Sequence, residues 1–533
     1  MNIRPMLPAT LFVTLSLAAL ACGNKGGATG SGGAGSTGSG SGGTGAAREP
    51  ESVLQRNKHA TRDGLYVQPK LTRAAAAKLA LDASFHPVIQ GHVYAQPLYV
   101  EQGPGGKGVF IVVTESNNVH AVAESDGAAV WTRTLGSPAG ATGTLCGNIA
   151  PLGITGTPYI DLPSRTIYLD AVIGDATTIK KHEIHALSLD DGAEKPGFPF
   201  DTAGIAYGGT TFDPVAQNQR GALLMVGGTL YVPYGGHNGD CAEYRGWILG
   251  VPVAKPAGAR GWCTSIRGGG VWAPGGLASD GTSVFAATGN TFGASAWSQG
   301  EAILRFAPGP VFSGQTADYF TPSDWQALDA LDIDLGGSGP LLVDVPGATP
   351  SALVVALGKN GVAYLLDRKS LGGVGKGDGK KGEGVASLRV ASDELINAAA
   401  SYRTASGTYV VAHIHGTGFG LNCPNSVVGD LVAIKIGAGS PPTLSVAWCA
   451  DNQGQGSPAV TTTDGTAEAI VWTVGAEGSK RLHGFDGDTG ALVFAGGGAG
   501  DVVANVRRFT SPIAVNGRIL TAGDDALYAF KAP

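Results

Sequence analysis

Charge is scarce in this sequence. Only 15% of its 533 residues are Asp, Glu, Lys or Arg, and the balance is acidic, at −6. A chain with no basic surplus lacks the electrostatic footprint that nucleic acid requires. Helical periodicity is also missing outside residues 72–82, which argues against a helical bundle. No CxxC or CxxCH occurs and no two cysteines are adjacent, so neither a dithiol redox motif nor covalent c-type haem is supported. "HEIH" (182–185) is not HExxH, and on a strand His182 and Glu183 face opposite ways. The Gly-Lys pairs of "GGVGKGDGKKGEG" (372–384) are not followed by Ser or Thr, so this stretch reads as a surface loop, not a P-loop. "DIDLGG" (332–337) lacks the further oxygen ligands of a calcium loop. His413 and His415 share one face of a strand, but no third metal ligand is visible. No Ser-His-Asp or Cys-His arrangement can be inferred, and no metal site is expected.

Glycine, by contrast, is abundant, at 86 residues, and Val, Ile, Leu, Thr and Ala dominate the patterned stretches. Together these predict an all-β protein with many tight turns. The N-terminus is a separate region. "MLPATLFVTLSLAAL" is an apolar run after a single Arg, and "ALAC" places small residues before Cys22. This reads as a signal peptide over 1–21, too short to span a membrane. Its end resembles a bacterial lipobox, with Cys22 as the lipidated residue; an ordinary signal peptide with a chance cysteine is the alternative. Gly23, not Asp, follows Cys22, which favours the outer membrane. Residues 22–49 are then a Gly/Ser-rich tether with a reach of about 25–30 Å. The expected location is therefore the cell envelope, lipid-anchored, on the periplasmic side or the cell surface. Five cysteines follow: Cys146, Cys241, Cys263, Cys423 and Cys449. An exported chain permits disulfides, and the local pairs Cys241–Cys263 and Cys423–Cys449 are expected, leaving Cys146 over.

The body repeats itself. "NVHAVAESDGAAVW" (118–131), "EIHALSLDDGAE" (183–194), "GVAYLLDRKSLGG" (361–373), "GDLVAIKIGAG" (429–439), "KRLHGFDGDTGALVF" (480–494) and "DDALYAFKAP" (524–533) share a strand–turn–strand plan. A second landmark alternates with it, a proline just before a buried strand: "AQPLYV" (95–100), "TGTPYID" (155–161), "GSGPLLV" (337–343), "GSPAVTT" (456–462) and "TSPIAV" (510–515). Proline suits the first residue of a strand, where its missing N–H costs no ladder bond. Counting "WAPGGLAS" (272–279) and the proline-free "GALLMV" (221–226) and "NAAASYR" (397–403) gives eight units of roughly 58 residues, the period of propeller blades. The prediction is an eight-bladed β-propeller of four-stranded blades over 93–533, with seven blades the alternative. Residues 50–92 are expected to supply a helix and a strand, "ASFHPVI" (83–89), that closes the last blade.

The repeat resembles that of the PQQ-like, or quinoprotein alcohol dehydrogenase-like, propeller family, whose pattern is A-x-D-x-x-T-G-x-x-x-W. Asp486, Thr489 and Gly490 match, with Phe494 for Trp; Ala121, Gly127 and Trp131 match, with Ala123 for Asp. The family includes dehydrogenases and non-catalytic scaffolds similar to the BamB lipoprotein. For an oxidoreductase the resemblance implies pyrroloquinoline quinone (PQQ) held between a Trp and an adjacent-cysteine disulfide. It also implies Ca²⁺ on a carboxylate and an amide, with an Asp as base. The adjacent cysteines are absent. Trp272 is expected to pack between blades, with a stacking platform the other reading.

Strand counting puts the Asp-Gly turns, Asp486 and Asp488 included, on one face. The long loops 235–246, 288–300 and 413–429 lie on the other. Elaborated loops on a rigid scaffold are where binding concentrates. The candidate partner-binding residues are His237, Asp240, Trp272, Asn290, Trp297 and His415, with Arg267 and Arg508 expected to point at the central channel; no catalytic residue is identified. The leading expectation is a monomeric, non-catalytic binding or scaffold module for an envelope protein or glycan, with no cofactor. A PQQ-dependent oxidoreductase with PQQ and Ca²⁺ is the alternative.

Overall fold

Eight antiparallel sheets of four strands, two of them extended by a fifth, parallel strand, follow one another along the chain in the computed structural model, which describes residues 51–140, 146–415 and 423–533. The signal segment, Cys22 and the tether lie outside the described residues. The innermost strands are Leu98–Val100, Tyr159–Asp161, Leu224–Val226, Ala278–Ser279, Leu341–Asp344, Ala400–Thr404, Ala459–Thr462 and Ile513–Val515, one per blade. The expected eight-bladed propeller is thus what the chain forms. Each landmark proline stands immediately before one of these strands: Pro97, Pro158, Pro340, Pro458 and Pro512.

Blade position explains the composition. Second strands are covered on both faces by neighbouring blades, so Val109–Val113 (VFIVV) is apolar throughout and entirely buried. The outermost strand of the same blade, Ala129–Thr134, is largely exposed and carries Arg133 and two threonines. The repeat motif fastens one blade to the next. Asp486 Oδ1 accepts the N–H groups of Asp488 (2.9 Å) and Thr489 (3.0 Å), forming a turn that ends on Gly490 at φ 73°. Gly490 has to lack a side chain, because a Cβ there would lie 2.7 Å from the Trp448 ring of blade six. Trp448 Nε1 donates to the Gly487 carbonyl at 2.8 Å. Trp131 of blade one repeats this, donating to the Leu189 carbonyl of blade two at 3.0 Å.

The segment before the first blade differs from the sequence expectation. Its only helix is one turn, Arg73–Ala76, and the strand that completes blade eight is Ala80–Leu81, paired with Lys531 and Phe530. Residues 83–89 run past the outer turn of blade one instead. There Pro87, which has no N–H to donate to a ladder, packs where a Cβ of Gly127 would stand.

Residues 53–64 form a plug in the central channel that bonds to every blade. Val53 exchanges backbone bonds with Tyr99, and Leu54, Thr61, Asp63 and Gly64 accept from Ile160, Leu342, Ser401 and Val460. Arg62 donates to the carbonyls of Leu277 (2.7 Å) and Leu223 (2.9 Å), and Arg56 to that of Phe509 (2.7 Å).

The cysteines need one correction. Cys423–Cys449 forms as expected, but Cys241 pairs with Cys146, at a Cα separation of 5.8 Å, and Cys263 is free. Cys263 ends the outermost strand of blade three, where it sits buried opposite Trp247. Burial pushes its thiol up to about 11. The loop carrying Cys241 folds away from that strand, toward the connector between blades one and two.

Candidate functional site

The loops between second and third strands confirm the asymmetry of the two faces. They are long in blade three, between Thr229–Tyr234 and Trp247–Pro252, and in blade four, between Val284–Thr288 and Ala302–Phe306. Blade six has a third, between Gly407–His413 and Leu431–Gly437, part of it outside the described residues. On this face a pocket of about 450 Å³ opens over the central axis. It gathers five of the eight residues singled out above: His237, Asp240, Trp272, Asn290 and Arg508.

Trp272 is the centre of the pocket. It stands half-exposed, in none of the hydrophobic clusters between blades, so the expected packing role is not the one it takes. Its backbone is drawn in by glycines: a Cβ on Gly235 would come within 3.1 Å of the Trp272 Cβ. Two cations flank the indole, Lys359 Nζ at 5.5 Å and the Arg220 guanidinium at 5.8 Å from the ring centroid. Gly289 is side-chain-free because the Asp334 carboxylate (2.3 Å) and the Trp272 indole nitrogen (3.1 Å) occupy the space of its Cβ.

Asp334 and Lys359 form the charged wall. Lys359 Nζ donates to Asp334 Oδ2 at 2.6 Å, and the Asn290 backbone N–H donates to Asp334 Oδ1 at 2.7 Å. Burial pushes the Asp334 carboxyl up against the pull of Lys359. Burial alone would lower Lys359, but Asp334 and Asp332 overcome it and hold the amine above its usual value. Asp332 lies 3.6 Å from the same Nζ and remains largely exposed. The Asn290 side-chain amide makes no hydrogen bond among the described residues and is left to the pocket. His237 is buried, and desolvation, followed by His182, lowers it to about 4, so it is neutral at physiological pH. Asp240 accepts the Tyr244 hydroxyl at 2.8 Å.

The other three expected residues lie elsewhere. Arg267 does not reach the channel: its guanidinium stacks on Phe292 at 4.2 Å and donates to the carbonyls of Ala242 and Asp240, pinning the long loop of blade three. Trp297 stacks on Tyr319 at 4.0 Å and donates to the Gly300 carbonyl, holding its own loop. His415 packs edge-on against His413, ring centroids 5.3 Å apart. No group of three His, Cys, Asp or Glu suited to a metal ion occurs among the described residues.

Sequence reasoning missed Arg220, Asp332, Asp334 and Lys359. Two signals were present. Arg220, like Arg508, lies a few residues before the first strand of its blade, and "DIDLGG" holds both aspartates.

The structure is similar to three solved alcohol or methanol dehydrogenases, two of them quinohemoproteins. One is the quinohemoprotein alcohol dehydrogenase ADHIIG from Pseudomonas putida HK5, at 14% identity and TM-score 0.58, covering 91% of this chain and 80% of that one. Another is the quinohemoprotein alcohol dehydrogenase from Comamonas testosteroni, at 14% identity and TM-score 0.54, covering 90% and 80%. The third is a europium-containing methanol dehydrogenase, at 13% identity and TM-score 0.56, covering 90% and 89%. The chain therefore has the fold of the quinoprotein dehydrogenase propellers, as its repeats imply. No protein-family profile matches the sequence, and no curated protein does.

A planar, multiply anionic quinone suits a half-exposed indole with cations beside it. The Ca²⁺ that the sequence resemblance implies suits the site poorly, because both Asp334 oxygens are engaged by Lys359 and the Asn290 N–H. The disulfide near the rim, Cys146–Cys241, joins residues far apart in sequence, not adjacent ones.

Proposed function

We propose that this protein is a non-catalytic binding module of the cell envelope that holds a planar, multiply anionic small molecule of the PQQ class against Trp272. The observation that carries the reading is the half-exposed indole in a pocket of about 450 Å³ with Lys359 and Arg220 at its face. Sequence reasoning pointed to a protein or glycan; a concave pocket with two cations against one indole favours a small anion instead. Envelope location and lipid anchoring at Cys22 belong to the proposal and rest on the N-terminal sequence.

In this pocket Trp272 supplies a flat apolar surface, worth about 1–3 kcal/mol in stacking. Arg220 offers a forked donor to a carboxylate, whereas the Arg508 fork is engaged by Glu477. Lys359, fixed by Asp334, provides a permanent positive charge where a metal would otherwise be needed.

A second reading, a PQQ-dependent oxidoreductase, is favoured by the alcohol and methanol dehydrogenases among the similar structures. The quinone, when bound, would supply a two-electron acceptor. Asp332, the exposed carboxylate next to Lys359, is then the group positioned to take a substrate proton. Titrating the purified protein with PQQ, with and without Ca²⁺, separates the two when combined with dye-linked oxidation of alcohols and sugars. The leading reading expects stoichiometric PQQ binding, independent of Ca²⁺, without turnover. Turnover establishes the second, and absence of binding to the wild-type protein removes both.

A further inference from the structure

Below the Trp272 pocket, and sharing Arg220 and Arg508 with it, lies a deeper cavity of about 200 Å³. Four arginines line it: Arg56, Arg220, Arg507 and Arg508. Two are neutralised, Arg507 by Asp524 and Arg508 by Glu477. The other two form no ion pair among the described residues.

Arg56 rises from the plug and is 1% exposed. One terminal nitrogen donates to the Phe509 carbonyl at 2.7 Å and lies 3.4 Å from Ser457 Oγ, while its Nε has no partner. Arg220 has the Trp272 ring beside it and no hydrogen bond among the described residues. The buried Arg56 guanidinium, bonded only to neutral groups, retains its charge and most of its desolvation cost, and Arg220 is partly buried. Carboxyl groups do not offset it here. Among the described residues no carboxylate lies within ion-pairing distance of Arg56 or Arg220: Glu115 Oε2 accepts the Gly153 N–H, and Glu477 is committed to Arg508. Two positive charges without an ion-pair partner among the described residues thus face one cavity, whose wall also holds Thr155, Thr157 and Tyr94.

We propose that this deep cavity binds a dianionic oxyanion, a phosphate group, between Arg56 and Arg220. The guanidinium fork matches a phosphate with paired hydrogen bonds, and a dianion balances the two charges. Since Arg56 belongs to the plug, the site exists only when residues 53–64 are seated in the channel. The inference does not rest on the quinone reading, because Trp272 does not line the deep cavity.

The test is calorimetric titration of the full chain with inorganic phosphate at pH 7.5, against sodium chloride at matched ionic strength. Glycerol phosphate and succinate are further arms. Saturable one-to-one binding of phosphate is expected, weakened at least tenfold in Arg220→Gln. Arg56→Gln, if it folds, is expected to match Arg220→Gln. Retention of glycerol phosphate binding identifies a phosphate carried on a larger molecule as a ligand, and its loss with phosphate binding intact identifies the free ion. Absence of saturable phosphate binding, equal affinity in Arg220→Gln, or a preference for succinate overturns the proposal.

Discussion

Replacing Glu115 by Gln is expected to stabilise the protein, and only at neutral to alkaline pH. Glu115 is fully buried beside the channel. Its Oε2 accepts the Gly153 N–H at 2.7 Å, whereas Oε1 has no partner. Desolvation raises the carboxyl to about 7, against the hydrogen bond from Gly153 and the attraction of Arg220 and Arg507. The folded state thus holds a proton that the unfolded chain releases at its ordinary carboxylate value. Between these two values the unfolded state binds fewer protons, so stability falls as pH rises through roughly 4.5 to 7 and levels off above it. At 1.36 kcal/mol per unit, the full penalty is about 3 kcal/mol. Glutamine keeps the acceptor for Gly153 and cannot ionise. Denaturant unfolding followed by tryptophan fluorescence should find the two proteins alike at pH 4.5 and the variant about 3 kcal/mol more stable at pH 8.5. Equal or lower stability of the variant at pH 8.5 would mean that Glu115 is ionised and held by Arg220 and Arg507. That result would also remove the charge imbalance argued for the deep cavity.

Other consequences follow from the plug, the blade junctions and the cysteines. Arg62→Met abandons the buried carbonyls of Leu277, Leu223 and Arg56, to which the guanidinium donates. At about 1–3 kcal/mol for each carbonyl left unmet, the loss should exceed 3 kcal/mol and show as a marked fall in the thermal midpoint. Trp448→Ala empties the junction of blades six and seven and should cost about 3–5 kcal/mol, measured by the same unfolding curves; a neutral result would contradict the motif's fastening role. Peptide mapping without reduction should recover the Cys146–Cys241 and Cys423–Cys449 linked peptides and a free Cys263, whose thiol resists alkylation until the protein unfolds.

The fold was legible because it is periodic. Five prolines mark where inner strands begin, and the glycine turns that abut Trp131 and Trp448 recur at blade spacing. The long-loop face followed from strand parity, and it led to Trp272, Asn290, His237 and Asp240. Lys359 and Asp334 were hidden for a physical reason: their chemistry arises from a contact between blades four and five that no local spacing encodes. Arg267 and Trp297 sit on the right face, yet their polar atoms are spent on loop carbonyls, a fact visible only in three dimensions. The pairing of Cys241 was misjudged from sequence distance, which a closed ring of blades makes a poor guide to proximity. The plug was unread for the same reason: residues 53–64 carry no pattern, and each of their contacts lies in a different blade.

The central claim is that Trp272 and its flanking cations form a binding site for a planar anion. Equilibrium titration with PQQ in the presence of EDTA, followed by quenching of tryptophan fluorescence, tests it most directly. The account predicts stoichiometric binding without added metal, weakened at least tenfold in Trp272→Ala and in Lys359→Met. Absence of binding, or equal affinity in the wild type and both variants, would contradict it.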